Sequence, residues 1–409
     1  MISQIIQHQI QQSPQQRITF AEFMDLALYD PQQGYYATGV VNIGDRGDFF
    51  TSPHLGADFG ELLAEKFAHL WETMGRPSPF QLVEMGAGQG ILAVDLLRYL
   101  QQKYPLFFGD LDYYIVEKSE GLKQSQQKLL AADPNLAAKV TWKEWADISE
   151  ASLVGCCFSN ELVDAFPVHL FTIAKGKLQE IYVSWQEDRF QEVIGEISTP
   201  RLADYWQLIG TQVQDLAEGY RSEINLAALD WLTTVAGKLQ RGYVVTIDYG
   251  YQSNAESLRQ SYYSPNRDQG TLQCYYRHQH HNDPYIHLGQ QDITAHVNFT
   301  ALEKQGELWG LKRESFTKQG LFLMELGLGD RLVALSNLGS SSNLGSNLVS
   351  PLESNLGSNR DSSTLENIAS PQNVINTMQR RQALHQLIEP SGLGGFGVLI
   401  QSKNIARTE

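Results

Sequence analysis

Short apolar runs alternate along the chain with longer stretches in which apolar residues recur at helical spacing. The apolar runs predict strands at residues 81–84, 113–117, 155–159, 243–249 and 321–326. The amphipathic stretches predict helices at residues 91–102, 121–132 and 226–239. Strands that alternate with helices in this way are typical of an α/β domain built on a mostly parallel sheet.

Two long segments interrupt the alternation, at residues 168–240 and 251–297. The first contains a hairpin-like pair of strands, LFTIAKGKLQEIYVSW, and the second is rich in Tyr, His, Asn and Gln with little periodicity. Both follow the carboxyl end of a predicted strand, which is where parallel sheets place their binding crevice. We therefore expect both insertions to lie on the binding side of the sheet.

A low-complexity segment occupies residues 336–372, where the unit SNLGS occurs three times. Its many Ser, Asn and Gly residues and few apolar ones predict a disordered insert. A helix pattern, NVINTMQRRQALHQLI, and a strand pattern, GFGVLIQSK, follow the insert. We therefore divide the chain into an N-terminal segment (1–60), a main domain (61–335), the insert, and a C-terminal part (373–409) that completes the main domain.

Charge and apolar content limit the partners that can be expected. The 46 acidic and 31 basic residues give a net charge of −15, which offers no general attraction to a polyanion, so no nucleic-acid partner is predicted. No window is apolar enough to span a bilayer, so no membrane insertion is predicted. The first residues, MISQIIQHQIQQSPQQ, lack a secretory core and an Arg-rich transit pattern, which favours a cytoplasmic location.

The stretch QLVEMGAGQGIL places an acid, Glu84, before glycines at every second position, Gly86, Gly88 and Gly90. A glycine turn between a strand and a helix lets the backbone approach a nucleotide closely. The dinucleotide fingerprint requires its third glycine where this chain has Ile91. The pattern E-x-G-x-G-x-G instead resembles motif I of class I S-adenosylmethionine-dependent methyltransferases. Glu117, at the end of the next predicted strand, could bind the ribose diol of either NAD or S-adenosylmethionine.

Four further blocks accompany the glycine turn: GDFFTSP, NELVDAFPV, IDYG and DITAHVNF. Together they resemble the MidA-like methyltransferases. The resemblance implies a class I methyltransferase fold, a Rossmann-like seven-stranded sheet with an N-terminal lid and insertions on the substrate side. It implies S-adenosyl-L-methionine as the cofactor, and it places Thr51 and Ser52 beside it. His54 stands where the family pattern has a glutamate.

The resemblance also implies a protein arginine as the acceptor, in a subunit of an NADH dehydrogenase-type complex. A guanidinium stays protonated in water, so its methylation calls for carboxylates beside the methyl donor. The NELVDAFP block supplies Glu161 and Asp164, with Asn160 to orient the acceptor. Asp248 and His296 complete the candidate catalytic set, and Glu223 could add a carboxylate. Glu161 and Asp164 could equally cap a helix, and Asp248 could close a turn.

Other interpretations stay open from the sequence alone. The histidines around residues 278–296 suggest a metal site, but their spacing is irregular and methyl transfer from a sulfonium needs no metal, so no metal is predicted. An assembly chaperone could keep the fold and the cofactor with little turnover. An NAD-dependent oxidoreductase is disfavoured by the glycine spacing, and a homodimer is possible.

Overall fold

The computed structural model describes residues 1–37, 51–253, 261–277, 279–343 and 371–406. The strands, in chain order, are β1 (Arg17–Thr19), β2 (Phe80–Met85), β3 (Leu111–Val116), β4 (Val140–Trp142), β5 (Leu153–Asn160), β6 (His169–Ala174), β7 (Lys177–Gln186), β8 (Arg189–Gly195), β9 (Arg221–Ile224), β10 (Leu239–Asp248), β11 (Gly250–Tyr251), β12 (Gln273–Tyr276), β13 (Gln279–His281), β14 (Asp292–Thr294), β15 (Val297–Asn298), β16 (Lys312–Lys318) and β17 (Gly397–Lys403).

The α-helices of the same part of the chain are α1 (Ile2–Gln12), α2 (Phe20–Tyr29), α3 (Asp58–Thr73), α4 (Ile91–Lys103), α5 (Pro105–Asp110), α6 (Glu120–Leu130), α7 (Pro134–Ala137), α8 (Arg201–Ile209), α9 (Leu226–Lys238), α10 (Phe299–Leu308), α11 (Gln319–Glu325), α12 (Leu328–Asn343) and α13 (Pro371–Ile388). Short 3-10 helices cover Ser52–Leu55 and Val163–Ala165. Within the described ranges no helix is long and apolar enough to cross a membrane.

The central sheet has seven strands in the order β16-β17-β10-β5-β2-β3-β4. The strands β4, β3, β2, β5 and β10 run parallel, while β17 is antiparallel to both of its neighbours. The central strands are apolar and buried on both faces because helices cover both sides of the sheet. The predicted α/β class is confirmed, and all five carboxyl ends of the parallel strands meet at one edge.

The prediction of a strand at residues 321–326 is wrong, because this apolar run lies in helix α11. A short apolar run does not by itself distinguish a buried strand from a buried helix. The outer strand of the sheet is β16, KRESFTK, whose first three residues are exposed. An edge strand of this kind needs no apolar run, so the hydrophobic pattern did not reveal it.

The chain after the low-complexity segment returns to the middle of the sheet, where β17 lies between β10 and β16. Helix α12 extends to Asn343, so the first residues of the predicted disordered insert are helical. Residues 344–370 lie outside the described part of the chain. Asp58, at the start of α3, accepts hydrogen bonds from Arg331 Nη1 (2.6 Å) and Arg380 Nε (2.7 Å). These contacts hold α12 and α13 against α3.

The insertion at residues 168–240 forms a second sheet in the order β1-β7-β6-β9, with β8 paired to β7. The predicted hairpin is present as β6 and β7, with Leu170 opposite Ile181. The N-terminal helices α1 and α2 share a hydrophobic core with this sheet and with the small sheet of β12, β13 and β14. The N-terminal segment and both insertions therefore form one layer above the carboxyl edge of the central sheet.

Candidate active site

The glycine turn joins β2 to α4 with three glycines in the left-handed region of backbone space. Gly86 has φ 71°, Gly88 has φ 53° and Gly90 has φ 84°. A Cβ atom on Gly86 would lie 2.6 Å from Leu162 Cδ1. The turn therefore needs glycine for its conformation, and at Gly86 also for space. The first amides of α4 follow the turn directly, and such helix starts favour anionic or polar ligand groups.

A cavity of about 840 Å³ opens beside this turn and is called here the glycine-turn cavity. Glu84 lines it, is 3% exposed, and accepts a hydrogen bond from the Tyr113 hydroxyl at 2.7 Å. Burial raises the pKa of Glu84 to about 7. A buried carboxyl group in this state gains strongly from a cationic ligand, because the cation stabilises its charged form.

Glu117 follows the last residue of β3, the strand next to β2, and lines the same cavity. It accepts hydrogen bonds from the Ser119 amide (2.9 Å) and from Gln126 Nε2 (3.1 Å). Gln126 Nε2 also donates to the Gly88 carbonyl at 2.8 Å. Sequence patterns did not single out Gln126, which fixes the distance between the acid and the glycine turn. Glu84 and Glu117 could therefore hold an amino-acid ammonium and a ribose diol in this cavity.

A second cavity, of about 1100 Å³, adjoins the first. It is called here the second cavity, and its walls contain three acids, several aromatic side chains and one lysine: Glu161, Asp164, Asp292, Tyr36, Tyr249, Tyr251, Tyr275, His280, His296, Phe396 and Lys318. Tyr36 and Glu161 line both cavities. A group transferred between ligands of the two cavities would therefore pass beside Glu161.

The loop after β5 brings the predicted residues Asn160, Glu161 and Asp164 together. Glu161 Oε1 accepts hydrogen bonds from Asn160 Nδ2 (3.1 Å) and from the Ser52 amide (3.2 Å). Burial, aided by the charge of Asp164, raises the pKa of Glu161 to about 8. Burial likewise raises the pKa of Asp164 to about 6. Two carboxyl groups share one desolvated site, which favours a cationic ligand.

The backbone of this loop is strained at Glu161, which has φ 52°. Left-handed conformations of this kind are costly for residues other than glycine and are often found at functional sites. The Glu161 amide donates to the Ile247 carbonyl of β10 at 2.9 Å, which holds the conformation. The strain turns the carboxylate toward the boundary of the two cavities.

Asp248 does not line either cavity, contrary to its predicted catalytic role. Its Oδ2 atom accepts the amides of Leu162 (3.2 Å), Val163 (2.9 Å) and Asp164 (3.3 Å), and its Oδ1 atom accepts the Tyr249 amide (2.9 Å). The side chain is fully buried beneath the loop. Asp248 therefore positions the loop that carries the acids. An acid at the end of a strand can either support a loop or line a cavity, and its position in the sequence does not distinguish the two.

Replacement of Asp248 by alanine is expected to lower the free energy of unfolding by about 3 kcal/mol or more. Each buried amide left without an acceptor costs about 1–3 kcal/mol, and Asp248 serves four of them. Urea unfolding of Asp248→Ala measures the loss, with the exposed Asp215→Ala as the control. A loss below about 1 kcal/mol would show that these contacts do not hold the loop.

His296, predicted to belong to the catalytic set, lines the second cavity together with Asp292 of the same block. Asp292 Oδ1 accepts the Tyr36 hydroxyl at 2.9 Å. Burial, followed by the charges of Arg267 and Lys318, lowers the pKa of His296 to about 4, so the ring is neutral at pH 7. Within the described residues, His296 Nδ1 is buried without a hydrogen-bond partner. A polar ligand of the second cavity would satisfy it.

Tyr36 links the two cavities from the N-terminal segment. Its carbonyl accepts the Ser119 hydroxyl at 2.7 Å, two residues after Glu117. Its ring stacks on Tyr29, with centroids 5.4 Å apart, and Tyr29 donates to the Ala165 carbonyl at 2.9 Å. The N-terminal segment thus covers both the glycine-turn cavity and the loop of acids.

The residues at the end of the GDFFTSP block and just after it either line the glycine-turn cavity or support Glu161. Thr51 and His54 line the glycine-turn cavity, and Thr51 Oγ1 lies 2.6 Å from His54 Nδ1. Ser52 does not line that cavity; its hydroxyl accepts Gln319 Nε2 at 3.1 Å, and its amide donates to Glu161. In this structure Ser52 supports Glu161, and a contact between Ser52 and the cofactor stays a prediction. The preceding residues, including Phe49 and Phe50, lie outside the described part of the chain.

Two further predictions concerned Glu223, as an additional carboxylate of the site, and the histidines around residues 278–296. Glu223 is buried in the second sheet, where it accepts the Thr271 amide (3.0 Å) and the Leu272 amide (3.1 Å), and it lines neither cavity. His280 lines the second cavity and His278 lies outside the described residues. Among the described residues, no three His, Cys, Asp or Glu side chains form a group that could hold a metal ion.

The parallel sheet, the glycine turn and the acid after the next strand define a class I methyltransferase fold with a nucleoside-binding cavity. A family model described as putative S-adenosyl-L-methionine-dependent methyltransferase matches residues 62–317, and the chain belongs to this family. The expected resemblance to MidA-like methyltransferases is confirmed. The protein is an enzyme of the methyltransferase class, and S-adenosyl-L-methionine is its cofactor.

Curated relatives carry more specific names. The Drosophila melanogaster protein arginine methyltransferase NDUFAF7 homolog, mitochondrial, is 31% identical over 339 residues, which cover 76% of this chain and 71% of the relative. Human protein arginine methyltransferase NDUFAF7, mitochondrial, is 27% identical over 343 residues, which cover 78% of this chain and 72% of the relative. The prediction of a cytoplasmic location is wrong by this comparison. It rested on what the first residues lack, and such an absence does not specify a compartment.

A solved structure shares the whole fold. A likely methyltransferase from Burkholderia thailandensis, bound to S-adenosyl-homocysteine, is 30% identical with a TM-score of 0.79, and the match covers 99% of this chain and 92% of that one. A native structure of a protein from the same organism matches with 29% identity and a TM-score of 0.76, over 99% of this chain and 92% of that chain. Both similarities extend beyond the central sheet to the N-terminal segment and the insertions.

Proposed function

We propose that this methyltransferase transfers a methyl group from S-adenosyl-L-methionine to an arginine side chain of a partner protein. The observation that carries the proposal is a pair of carboxyl groups on one loop: Glu161, half-buried at the boundary of the two cavities, and Asp164, buried in the wall of the second cavity. The names of the curated relatives, protein arginine methyltransferases, support the same acceptor. The family resemblance makes a subunit of an NADH dehydrogenase-type complex the first partner to test.

In this proposal the glycine-turn cavity holds the cofactor. Glu84 binds the ammonium of its amino-acid part, and Glu117 binds the ribose hydroxyls with Gln126 as support. The glycine turn at Gly86 lets the backbone lie against the ligand, and Thr51 closes the cavity from the other side. The bound cofactor supplies an electrophilic methyl group on a sulfonium, which must point toward Glu161 for transfer to the second cavity.

The second cavity holds the arginine. Glu161 and Asp164 bind the guanidinium through charge-assisted hydrogen bonds, and they orient one nitrogen toward the methyl group. As the new N–C bond forms and the S–C bond breaks, that nitrogen loses a proton, which one of the two carboxylates accepts. Asn160 and the Ser52 amide hold Glu161 in place. Tyr36, Tyr249 and His296 enclose the arginine stem and keep water away.

The pKa values of the two acids predict how binding depends on pH. A carboxyl group that is neutral in the free site must lose its proton to bind a guanidinium, and Glu161 has a pKa of about 8. With S-adenosyl-homocysteine bound, the affinity for an arginine peptide should rise between pH 6 and pH 8, by up to about tenfold per pH unit, and level off above pH 8. Glu161→Gln should flatten this dependence. An affinity that is constant or falls over this range would contradict the paired-acid site.

The function itself is tested by incubating the enzyme and methyl-labelled S-adenosyl-L-methionine with an extract from cells that lack this protein. We expect one or a few labelled proteins, with the label on methylarginine after digestion and mass spectrometry. A label on lysine, on a terminal amine or on a small molecule would reject the arginine acceptor. The absence of any label, together with tight binding of one extract protein, would favour an assembly chaperone.

A further inference from the structure

The second cavity contains a cationic group that the transfer of a methyl group to arginine does not use. Lys318, the last residue of β16, lines the cavity beside the start of α11. Within the described residues its amine makes no hydrogen bond or ion pair, and burial lowers its pKa. An unpaired lysine in this cavity would weaken the binding of a guanidinium, unless an anion enters together with the arginine.

The charges of the second cavity are separated. Glu161 lies at the boundary with the glycine-turn cavity, and Asp164 lines the second cavity three residues further along the loop. Lys318 lies opposite Gly397 of β17, which in turn lies opposite Asp248 of β10, and it lines the second cavity together with His296. None of the cavity acids is within ion-pair distance of Lys318 in the described structure. One region of the cavity thus suits a cation and another suits an anion.

His296 provides the second, independent observation. Its Nδ1 atom is buried and has no hydrogen-bond partner among the described residues. Its ring is held against Tyr249 and Tyr251, with centroid distances of 4.9 and 5.3 Å. A neutral imidazole can donate one hydrogen bond from this position, as the lysine amine nearby can. Two unused donors in one region suit the two oxygens of a carboxylate.

The wall that carries Lys318 leads to the surface. Leu321 and Met324, on the next turns of α11, line the second cavity and are 62% and 46% exposed. Leu321 and Met324 are three residues apart on α11 and lie on the same face, which leads from the Lys318 end of the cavity to the solvent. A polypeptide that reaches the acids with its arginine would therefore pass Lys318 with a neighbouring residue.

We propose that Lys318 and His296 form a carboxylate-binding subsite, which selects target arginines that have an acidic side chain or the chain's own terminal carboxylate close by. The subsite rests on the proposed function, because it positions the same acceptor. It defines the substrate class more narrowly: a protein segment with an arginine and a nearby carboxylate. Lys318 acts as a specificity residue, and it takes no part in the chemical step.

The test measures kcat and KM of the full-length enzyme on short peptides that contain one arginine. One series moves a single aspartate through the positions on either side of the arginine, and a second compares free and amidated carboxyl termini. We expect one spacing, or the free terminus, to be preferred over the neutral peptide by at least about tenfold in kcat/KM, mainly through KM.

The variants separate recognition from structural support. Lys318→Met should bring the ratio of acidic to neutral peptide close to one, Lys318→Arg should retain the preference, and Lys318→Glu should favour a lysine at the preferred position. Lys312→Glu, on the same strand but exposed and outside the cavity, should leave the ratio unchanged. Equal losses on acidic and neutral peptides would overturn the subsite. If wild type methylates none of the peptides, the subsite is rejected as well, whereas methylarginine in the extract would still uphold the proposed function.

Discussion

Glu161→Gln is expected to bind S-adenosyl-L-methionine nearly as well as the wild type and to transfer methyl groups at least about 100-fold more slowly. Glutamine keeps the shape of the side chain and the contacts with Asn160 and the Ser52 amide. In the proposed site it removes one of the two charges that would hold the guanidinium, and a base that would accept its proton. The loss of one charge-assisted contact that counts mainly in the transition state costs about 100-fold or more in rate.

Two measurements on the same variant distinguish a loss of turnover from a loss of cofactor binding. Calorimetry with S-adenosyl-homocysteine reports cofactor binding, and labelled methyl transfer to the partner protein reports turnover. The exposed Glu196→Gln, outside both cavities, serves as the matched control. Asp164→Asn should behave like Glu161→Gln, since the two acids act as a pair. Normal turnover of both variants would remove the acids from the reaction.

The variants also separate an enzyme from an assembly chaperone. A chaperone needs its partner-binding surface, but it has no need of carboxylates beside a methyl donor. If Glu161→Gln fails to methylate and yet restores assembly of the partner complex in a deletion strain, binding is the essential activity. If it fails in both, methyl transfer is required.

Gly86→Val is expected to abolish cofactor binding. The residue has φ 71°, and a Cβ atom there would lie 2.6 Å from Leu162 Cδ1, on the loop that also carries Glu161 and Asp164. A branched side chain would therefore strain the turn and displace that loop. In the wild type, S-adenosyl-homocysteine at about 100 times its Kd should add about 2.7 kcal/mol to the free energy of unfolding, and the variant should show no such gain.

A second glycine controls for backbone strain alone. Gly210, after α8, has φ 68°, and a Cβ atom there would meet nothing within 4 Å. Gly210→Val should thus lower the free energy of unfolding, but S-adenosyl-homocysteine should still add as much to it as in the wild type. If Gly86→Val retained a wild-type gain, the glycine turn would not be part of the cofactor site.

Sequence patterns predicted the parts of the fold that follow from periodicity. The buried strands β2, β3, β5 and β10 are apolar and short, and α4, α6 and α9 have one apolar face, so each pattern has few alternatives. The edge strand β16 is polar and was missed, and the apolar run that became α11 was assigned to a strand. At the rim of a sheet, packing against neighbours decides the structure more than the local pattern does.

The candidate site was also predicted only in part, because contacts between distant parts of the chain decide which side chains reach it. Glu84, Glu117 and Glu161 stand at the ends of strands in recognisable blocks, and the structure places each of them in a cavity wall. The position of Asp248 looks the same in sequence, yet its carboxylate faces loop amides. Whether a strand-end acid turns inward or outward depends on contacts that lie far away along the chain.

Other site residues have a weak sequence signal or none. Tyr36 belongs to the N-terminal segment and reaches the site only because α1 and α2 pack on the second sheet. Gln126 lies inside an amphipathic helix, and Lys318 ends a polar strand. Their importance follows from the cavities that the tertiary structure creates, and a single sequence does not describe cavities.

The most direct measurement of the central claim is a crystal structure of the enzyme with S-adenosyl-homocysteine and an arginine peptide. The account predicts the cofactor in the glycine-turn cavity, with its sulfur beside Tyr36 and Glu161. It predicts a guanidinium nitrogen within about 3 Å of a carboxylate oxygen of Glu161 or Asp164. A guanidinium bound elsewhere, or a sulfur that faces away from the second cavity, would contradict it.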